Sequence, residues 1–290
     1  MERLKKILCL FVALSALTVV GCGDNDEDSS SIDKSSSQSE SKADDSSEIK
    51  KQEMLVGEHL KNSAKIYESG KYTLKCTISG DAIGTTLKLT RVVNEGNVYQ
   101  LQEEKAGSYG VISVNGEAYA FDNNCGMYKS AKSAPDKSIV EEIIEQNIPV
   151  KNTSESEDKK YVTEQYTYTG DTYITNVTFY FDKNTDELKK YEMKYTVEGQ
   201  DDATETRVIN SISDKVDESV FKLDFLKKMV NFDTMSEEQK MGFCQGVCVS
   251  RGINEQMLSD YGIKSEDFKK IEFDTFFDLI YSYNDKDWGA

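Results

Sequence analysis

The chain has 290 residues and a net charge of −17, with 52 acidic side chains against 35 lysines and arginines. An excess of that size excludes a nucleic-acid binder, which neutralises phosphates with basic side chains, and direct adhesion to anionic lipid head groups. A single histidine, His59, leaves no HExxH zinc motif, and no GxSxG elbow accompanies it.

The first residues form a three-part export signal. Arg3, Lys5 and Lys6 precede an uncharged apolar stretch, 7–20, shorter than the ~20 residues of a spanning helix. It ends in Val19-Val20-Gly21-Cys22, which resembles the lipobox of bacterial lipoproteins. That resemblance implies cleavage before Cys22, a diacylglyceryl thioether on Cys22, and a place on the outer face of the cell membrane. Cys9 leaves with the signal, whose removal takes the net charge to −19. Residues 23–49 hold ten serines and nine acids with almost nothing apolar, so they cannot bury enough surface to offset ordering and read as a disordered tether. The organisation expected is a signal over 1–21, a tether over 22–50, a main α+β domain over 51–225 and a three-helix segment over 226–290.

Helical spacing of Met54, Gly57, Leu60, Ala64 and Tyr67 predicts a helix over 53–69, stopped by Gly70. Alternation of Tyr72, Leu74, Cys76 and Ile78 with polar neighbours predicts a half-buried strand. Similar runs follow at 85–93, 97–103, 109–114 and 117–121, and Asn115-Gly116 between the last two signals a type I′ hairpin. Ser138 and Glu141 make a capping box for a helix through Asn147, followed by a polar loop over 152–160. A second β-run occupies 161–169, 172–181, 188–197 and 204–212, with Tyr173, Val177, Phe179 and Phe181 on one face, and short connections predict an antiparallel meander.

The leading helix feeding Gly70-Lys71-Tyr72-Thr73-Leu74, the hairpin Val114-Asn115-Gly116-Glu117, the hairpin from Phe179 to Leu188, and a closing Val216-Asp217-Glu218-Ser219-Val220-Phe221 together resemble the half-barrel lipoproteins related to the outer-membrane lipoprotein carrier and its mycobacterial and Gram-positive relatives. The resemblance covers roughly 53–225 and implies a curved antiparallel sheet wrapped around helices, holding acyl chains in some members. It carries over no ligand-contacting residue. Beyond it, Ser236 and Gln239 cap a helix bearing Met241, Cys244, Val247 and Cys248. Residues 254–261 read as a short helix and Ser265 opens a longer one through Phe268, Ile271, Phe276, Leu279, Ile280 and Tyr283, so that 226–290 is a small appendage packing on the sheet or on itself.

His59, beside Glu58, reads as an exposed helix histidine rather than a catalytic base. Asp182, Asn184 and Asp186 match the start of a calcium loop, but Glu187 replaces the turn glycine and Met193 stands where a bidentate Glu belongs, so the segment reads as a turn. Cys244 and Cys248 share a helix face and read as buried thiols, while Cys76 and Cys125 lie in one β-run and are open to a disulfide. No cofactor, metal site or catalytic set is expected. The expected partner is the membrane, through lipid on Cys22, and the expected function is non-catalytic binding of a hydrophobic ligand or peptide in the half-barrel. The alternative is an interaction or scaffold module whose C-terminal helices engage an envelope protein. A third reading, an envelope hydrolase, lacks a recognisable catalytic constellation.

Overall fold

The computed structural model describes residues 55–169, 174–197 and 199–282. The signal, Cys22, the tether and Tyr173 lie outside them. Among the described residues the chain is α+β, with one curved, open sheet of 12 strands: β1 (Lys71–Ser79), β2 (Leu87–Asn94), β3 (Asn97–Glu104), β4 (Gly107–Val114), β5 (Glu117–Asp122), β6 (Met127–Ala131), β7 (Asn152–Glu155), β8 (Tyr161–Thr169), β9 (Ile174–Asp182), β10 (Leu188–Thr196), β11 (Ala203–Ser213) and β12 (Val230–Asn231). Their order across the sheet is β12-β6-β5-β4-β3-β2-β1-β11-β10-β9-β8-β7. Every pairing is antiparallel except that of β12 with β6. The two β-runs are thus two meanders joined side by side through β1 and β11.

Helix α1 (Glu58–Glu68) and helix α2 (Ile139–Glu145) lie on one face of the sheet. Leu60, Ala64, Tyr67, Val140 and Ile143 meet Tyr72, Leu74, Val177, Phe179, Phe181 and Tyr191 there. The α2 capping box forms as its sequence predicts, with Ser138 accepting from the Glu141 backbone and Glu141 from that of Ser138. Helix α1 is capped differently. Gly57 has no side chain to offer, and the Glu164 carboxylate of β8 accepts from the backbone N–H groups of His59 and Leu60, both at 3.1 Å. A Cβ on Gly57 would lie 2.2 Å from Glu164 Oε1, so only glycine lets the carboxylate reach the helix start.

Beyond residue 225 the chain stays against the sheet. Helices α3 (Glu237–Ser250), α4 (Glu255–Asp260) and α5 (Phe273–Ser282) pack on the same face as α1, over Val111, Ala120 and Met127. Two 3-10 turns, Glu218–Phe221 and Leu223–Lys228, cross the opposite face, where Leu223, Phe225, Leu226 and Met229 cover Ile112, Phe121, Tyr99 and Tyr128. The cores on β4–β6 therefore draw side chains from both sides of the boundary expected near 225.

Three sequence expectations change. The 216–221 segment does not close the sheet: Asp217 accepts from the Ser219 backbone at 2.9 Å and starts a 3-10 turn. The helix expected from Ser265 divides into a 3-10 turn, Ser265–Lys269, and α5. At 100° per residue its apolar positions from Phe268 to Ile280 would spread over about 240° of one continuous helix, too wide for a single buried face, and the break re-aims them into one core. Part of the polar loop over 152–160 is the edge strand β7, whose four residues are all exposed and so show no alternation.

Candidate functional site

Arginine is scarce here: Arg3, Arg91, Arg207 and Arg251 stand against 31 lysines. The three in the described residues all lie on the helix-bearing side of the sheet, each against a tyrosine; Arg91 and Arg207 pair with a buried or half-buried carboxylate, and Arg251 feels the field of Asp122. The planar guanidinium fork suits such sites better than a strongly hydrated lysine ammonium.

In the first cluster Arg91 occupies a core-facing position between Leu89 and Val93 on β2. Its Nε donates to the Tyr72 hydroxyl at 3.2 Å, and its Nη1 donates to Gln100 Oε1 at 2.9 Å and the Asp136 carbonyl at 2.8 Å. Tyr72 donates to Glu141 at 3.1 Å, so the carboxylate that caps α2 also ties that helix to the sheet. Burial pushes the Tyr72 hydroxyl up to about 12 against the pull of Arg91, which keeps it a donor.

In the second cluster Glu205 is 0% exposed and pairs with Arg207, two residues along β11 and on the same face. Tyr195 donates to Glu205 at 3.2 Å, and Arg207 reaches the Tyr191 hydroxyl at 3.4 Å. Burial is the largest single influence and works against the guanidinium's charge, but Glu205, Tyr191, Tyr195 and Cys76 together outweigh it and raise the Arg207 pKa well above its ordinary value. Cys76 lies alongside, its thiol pushed up to about 11 by burial.

The third cluster joins the C-terminal helices to the turn after β5. Asp122 accepts from the backbone N–H groups of Asn124 at 2.8 Å and Cys125 at 2.9 Å. Arg251, which ends α3, donates to Cys125 Sγ at 3.5 Å, and its guanidinium lies 5.2 Å above the Tyr281 ring. Burial and then Asp122 push the Cys125 thiol up to about 12. Cys244, Cys248 and Arg251 follow one another at i, i+4 and i+7 along α3, and burial raises the two thiols to about 12 and 11. Near neutrality these cysteines are thiols, the poorer nucleophile and metal ligand.

The structure does not bring Cys76 and Cys125 together. Both are free thiols, and three strands separate β1 from β5, about 19 Å along the sheet at ~4.8 Å per strand, against a Cα separation below ~7 Å for a disulfide. His59 is half-buried, not exposed: it stacks on Phe181 with ring centroids 5.5 Å apart and pairs through Nδ1 with Asp186. Asp186 accepts from Asn62 at 3.1 Å as well, which docks the β9–β10 turn on α1. Asp182 instead accepts from the backbones of Asn184 and Thr185, so Asp182, Asn184 and Asp186 do not converge. Among the described residues no group of three or more His, Cys, Asp or Glu is placed to hold a metal ion, and no helix is long and apolar enough to cross a membrane.

A shallow groove of about 450 Å³ lies at the foot of the C-terminal helices, lined by Ile263, Glu266, Lys269, Lys270 and Glu272 among others. Its charges are of both signs. The chain matches no family model and no curated protein.

The arginine clusters leave only two faint traces in the sequence. Arg91 falls in the buried register of Leu87, Leu89 and Val93, where a charge demands a partner. Glu205 and Arg207 carry a similar trace, as opposite charges two apart on one strand. Arg251 carries none, because its partners come from β5 and α5.

Proposed function

We propose that the chain is a lipid-anchored, extracytoplasmic, non-catalytic interaction protein, held through Cys22 and stood off the membrane by its acidic tether. In this reading the sheet is a half-barrel used as a scaffold, and the C-terminal helices present its working surface. One observation carries the choice between ligand and partner. The side chains that a half-barrel would turn towards an acyl chain, Tyr72, Leu74, Phe179 and Tyr191, are already buried against α1 and α2. Binding a hydrophobic ligand there requires the helices to leave, at a cost of several buried side chains worth about 1.5–3 kcal/mol each. Val249 on α3 favours a protein partner instead: it is 80% exposed, against 38–45% for the other exposed large apolar side chains among the described residues.

A photo-crosslinking residue at Val249, and another at Thr77 on the sheet's uncovered face, tests this in intact cells. A discrete adduct at 249 and none at 77 is expected. Equal labelling of both, or an acyl ligand extracted in stoichiometric amount from the purified protein, overturns the reading. The anchor is tested separately: Cys22→Ala is expected to lose labelling by a palmitate analogue and retention on membranes, and full labelling of that variant removes the anchor from the proposal.

A further inference from the structure

Helix α5 carries two carboxylates one turn apart, Asp274 and Asp278, on the side that faces β6. Each has one buried oxygen, Oδ1, without a hydrogen-bond partner. Side chains four apart on a helix are neighbours, and like charges there repel. Among the described residues the cation paired with them is Lys129 of β6, 2.5 Å from Asp274 Oδ2 and 5.3 Å from the centre of the Phe273 ring. It forms an ion pair with Asp274 and acts on Asp278 only through a weaker pull. The remaining titratable group that senses Asp278 is Tyr261, after α4, whose hydroxyl is bonded to Ser282. Arg251 and Asp122 act on Tyr281 instead.

We propose that Asp274 and Asp278 share one proton, and that this carboxyl–carboxylate pair is an acid-tightened latch between α5 and strand β6. A single O–H from Asp278 to Asp274 satisfies both orphaned oxygens at once, leaving one negative charge to face Lys129. Loss of that proton restores two like charges and two unpaired buried oxygens, and loosens α5 from β6. The electrostatics agree: burial first, then Asp274, raise the Asp278 carboxyl to about 7 against the pull of Lys129. The direction follows from linkage. A carboxyl whose folded pKa is raised adds stability that is full below its unfolded pKa of about 4 and is lost as pH rises towards 7. Across that window the folded-to-unfolded ratio falls by at most roughly tenfold per pH unit, less for a site that is partly open to solvent.

Full-length protein in detergent, labelled with 13C at the aspartate carboxyls, tests the pair by NMR titration, with thermal midpoints measured beside it from pH 4.5 to 8. One aspartate resonance is expected to titrate near 7, to vanish in Asp278→Asn, and to move towards the ordinary range in Asp274→Asn. Lys129→Met is expected to move it upwards. The wild type is expected to lose midpoint relative to Asp278→Asn as pH rises through this window. If no aspartate titrates above about 5, or if wild type and Asp278→Asn keep a constant difference in midpoint across the range, no proton is shared and the latch does not exist. Should Asp278→Asn fail to fold, the Lys129→Met and Asp274→Asn titrations decide by moving in opposite directions or not at all.

Discussion

Strands β4 and β5 bury unbroken runs, Val111-Ile112-Ser113 and Ala120-Phe121-Asp122, whereas β9 buries every second residue: Thr175, Val177, Phe179 and Phe181. The cause is the number of covers. Over β4–β6 the C-terminal helices occupy one face and the 3-10 segment with Phe225 and Leu226 the other. Over β9 and β10, α1 and α2 cover one face and the other stays wet, bearing such pairs as Tyr180 with Glu192 at 2.7 Å. A strand covered on both faces loses its alternation, and a strand covered on one keeps it. A break in alternation thus reports a second cover that comes from a distant part of the chain.

The largest test removes that cover. Truncation after Phe225 strips β4–β6 of α3–α5, β12, Leu226 and Met229, and exposes Val111, Ala120, Met127 and Ile112. Loss of the cooperative thermal transition and binding of a hydrophobic dye are expected, although the sequence reading drew a domain boundary at this point. Retention of a sharp transition breaks the comparison, because the β4–β6 wing would then stand with one face bare. A sharper cut is Phe276→Ala, which removes the ring packed on Phe232, Phe243 and Phe268. About 3–5 kcal/mol of stability should go, against less than about 0.5 kcal/mol for Thr77→Ala on the wet face, both measured by urea denaturation.

How much of this was legible follows the same division. Local signals spoke clearly: both capping boxes, the strands of the alternating meander and the Asn115-Gly116 turn lie where residue chemistry places them. What was not legible depends on distant partners. The 226–290 segment read as an appendage packing on the sheet or on itself, and nothing within it says that Val111 and Ala120 need covering. The Arg251–Asp122 cluster was invisible for the same reason, since 129 positions of sequence separate its members and neither is unusual alone. Glu164 is the clearest case: an acid in a Thr- and Tyr-rich strand looks like surface, yet it caps a helix about a hundred residues earlier.

That cap gives the next prediction, on the singly covered wing. Gly57→Ala places a Cβ where the Glu164 carboxylate now sits, so the acid leaves the His59 and Leu60 backbones and drags the Tyr166 hydroxyl, 2.7 Å from Glu164, out of place. Roughly 1–3 kcal/mol should be lost as buried donors go unpaired. Glu164→Ala made alone should cost a similar amount, and the double variant less than the sum of the two, because the second change removes what the first collides with. Strict additivity in the denaturation midpoints means that the two residues do not meet.

The smallest effects come from two turns that differ by one residue. Asn115-Gly116 joins β4 to β5 with φ of 53° and 85°, and Glu95-Gly96 joins β2 to β3 with φ of 50° and 86°. Both are two-residue hairpins with positive φ at each central position, the I′ geometry whose twist matches the strands it connects. The sequence reading singled out only the first, since asparagine advertises a left-handed position and glutamate does not. No atom lies within 4 Å of the place a Cβ would take on either glycine, so any penalty there is conformational and not a collision. Gly116→Val forces a β-branched residue into that region and should cost about 1–2 kcal/mol, while Asn115→Ala should cost less, about 1 kcal/mol at most. Glu95→Asn runs the other way. It installs at the first central position the residue that β4–β5 already uses, and should stabilise by a few tenths of a kcal/mol. The four proteins should therefore rank Glu95→Asn, wild type, Asn115→Ala, Gly116→Val in urea midpoint. If Glu95→Asn falls below wild type, the Glu95 side chain contributes more to the β2–β3 turn than backbone preference costs it, and the two turns are not equivalent after all.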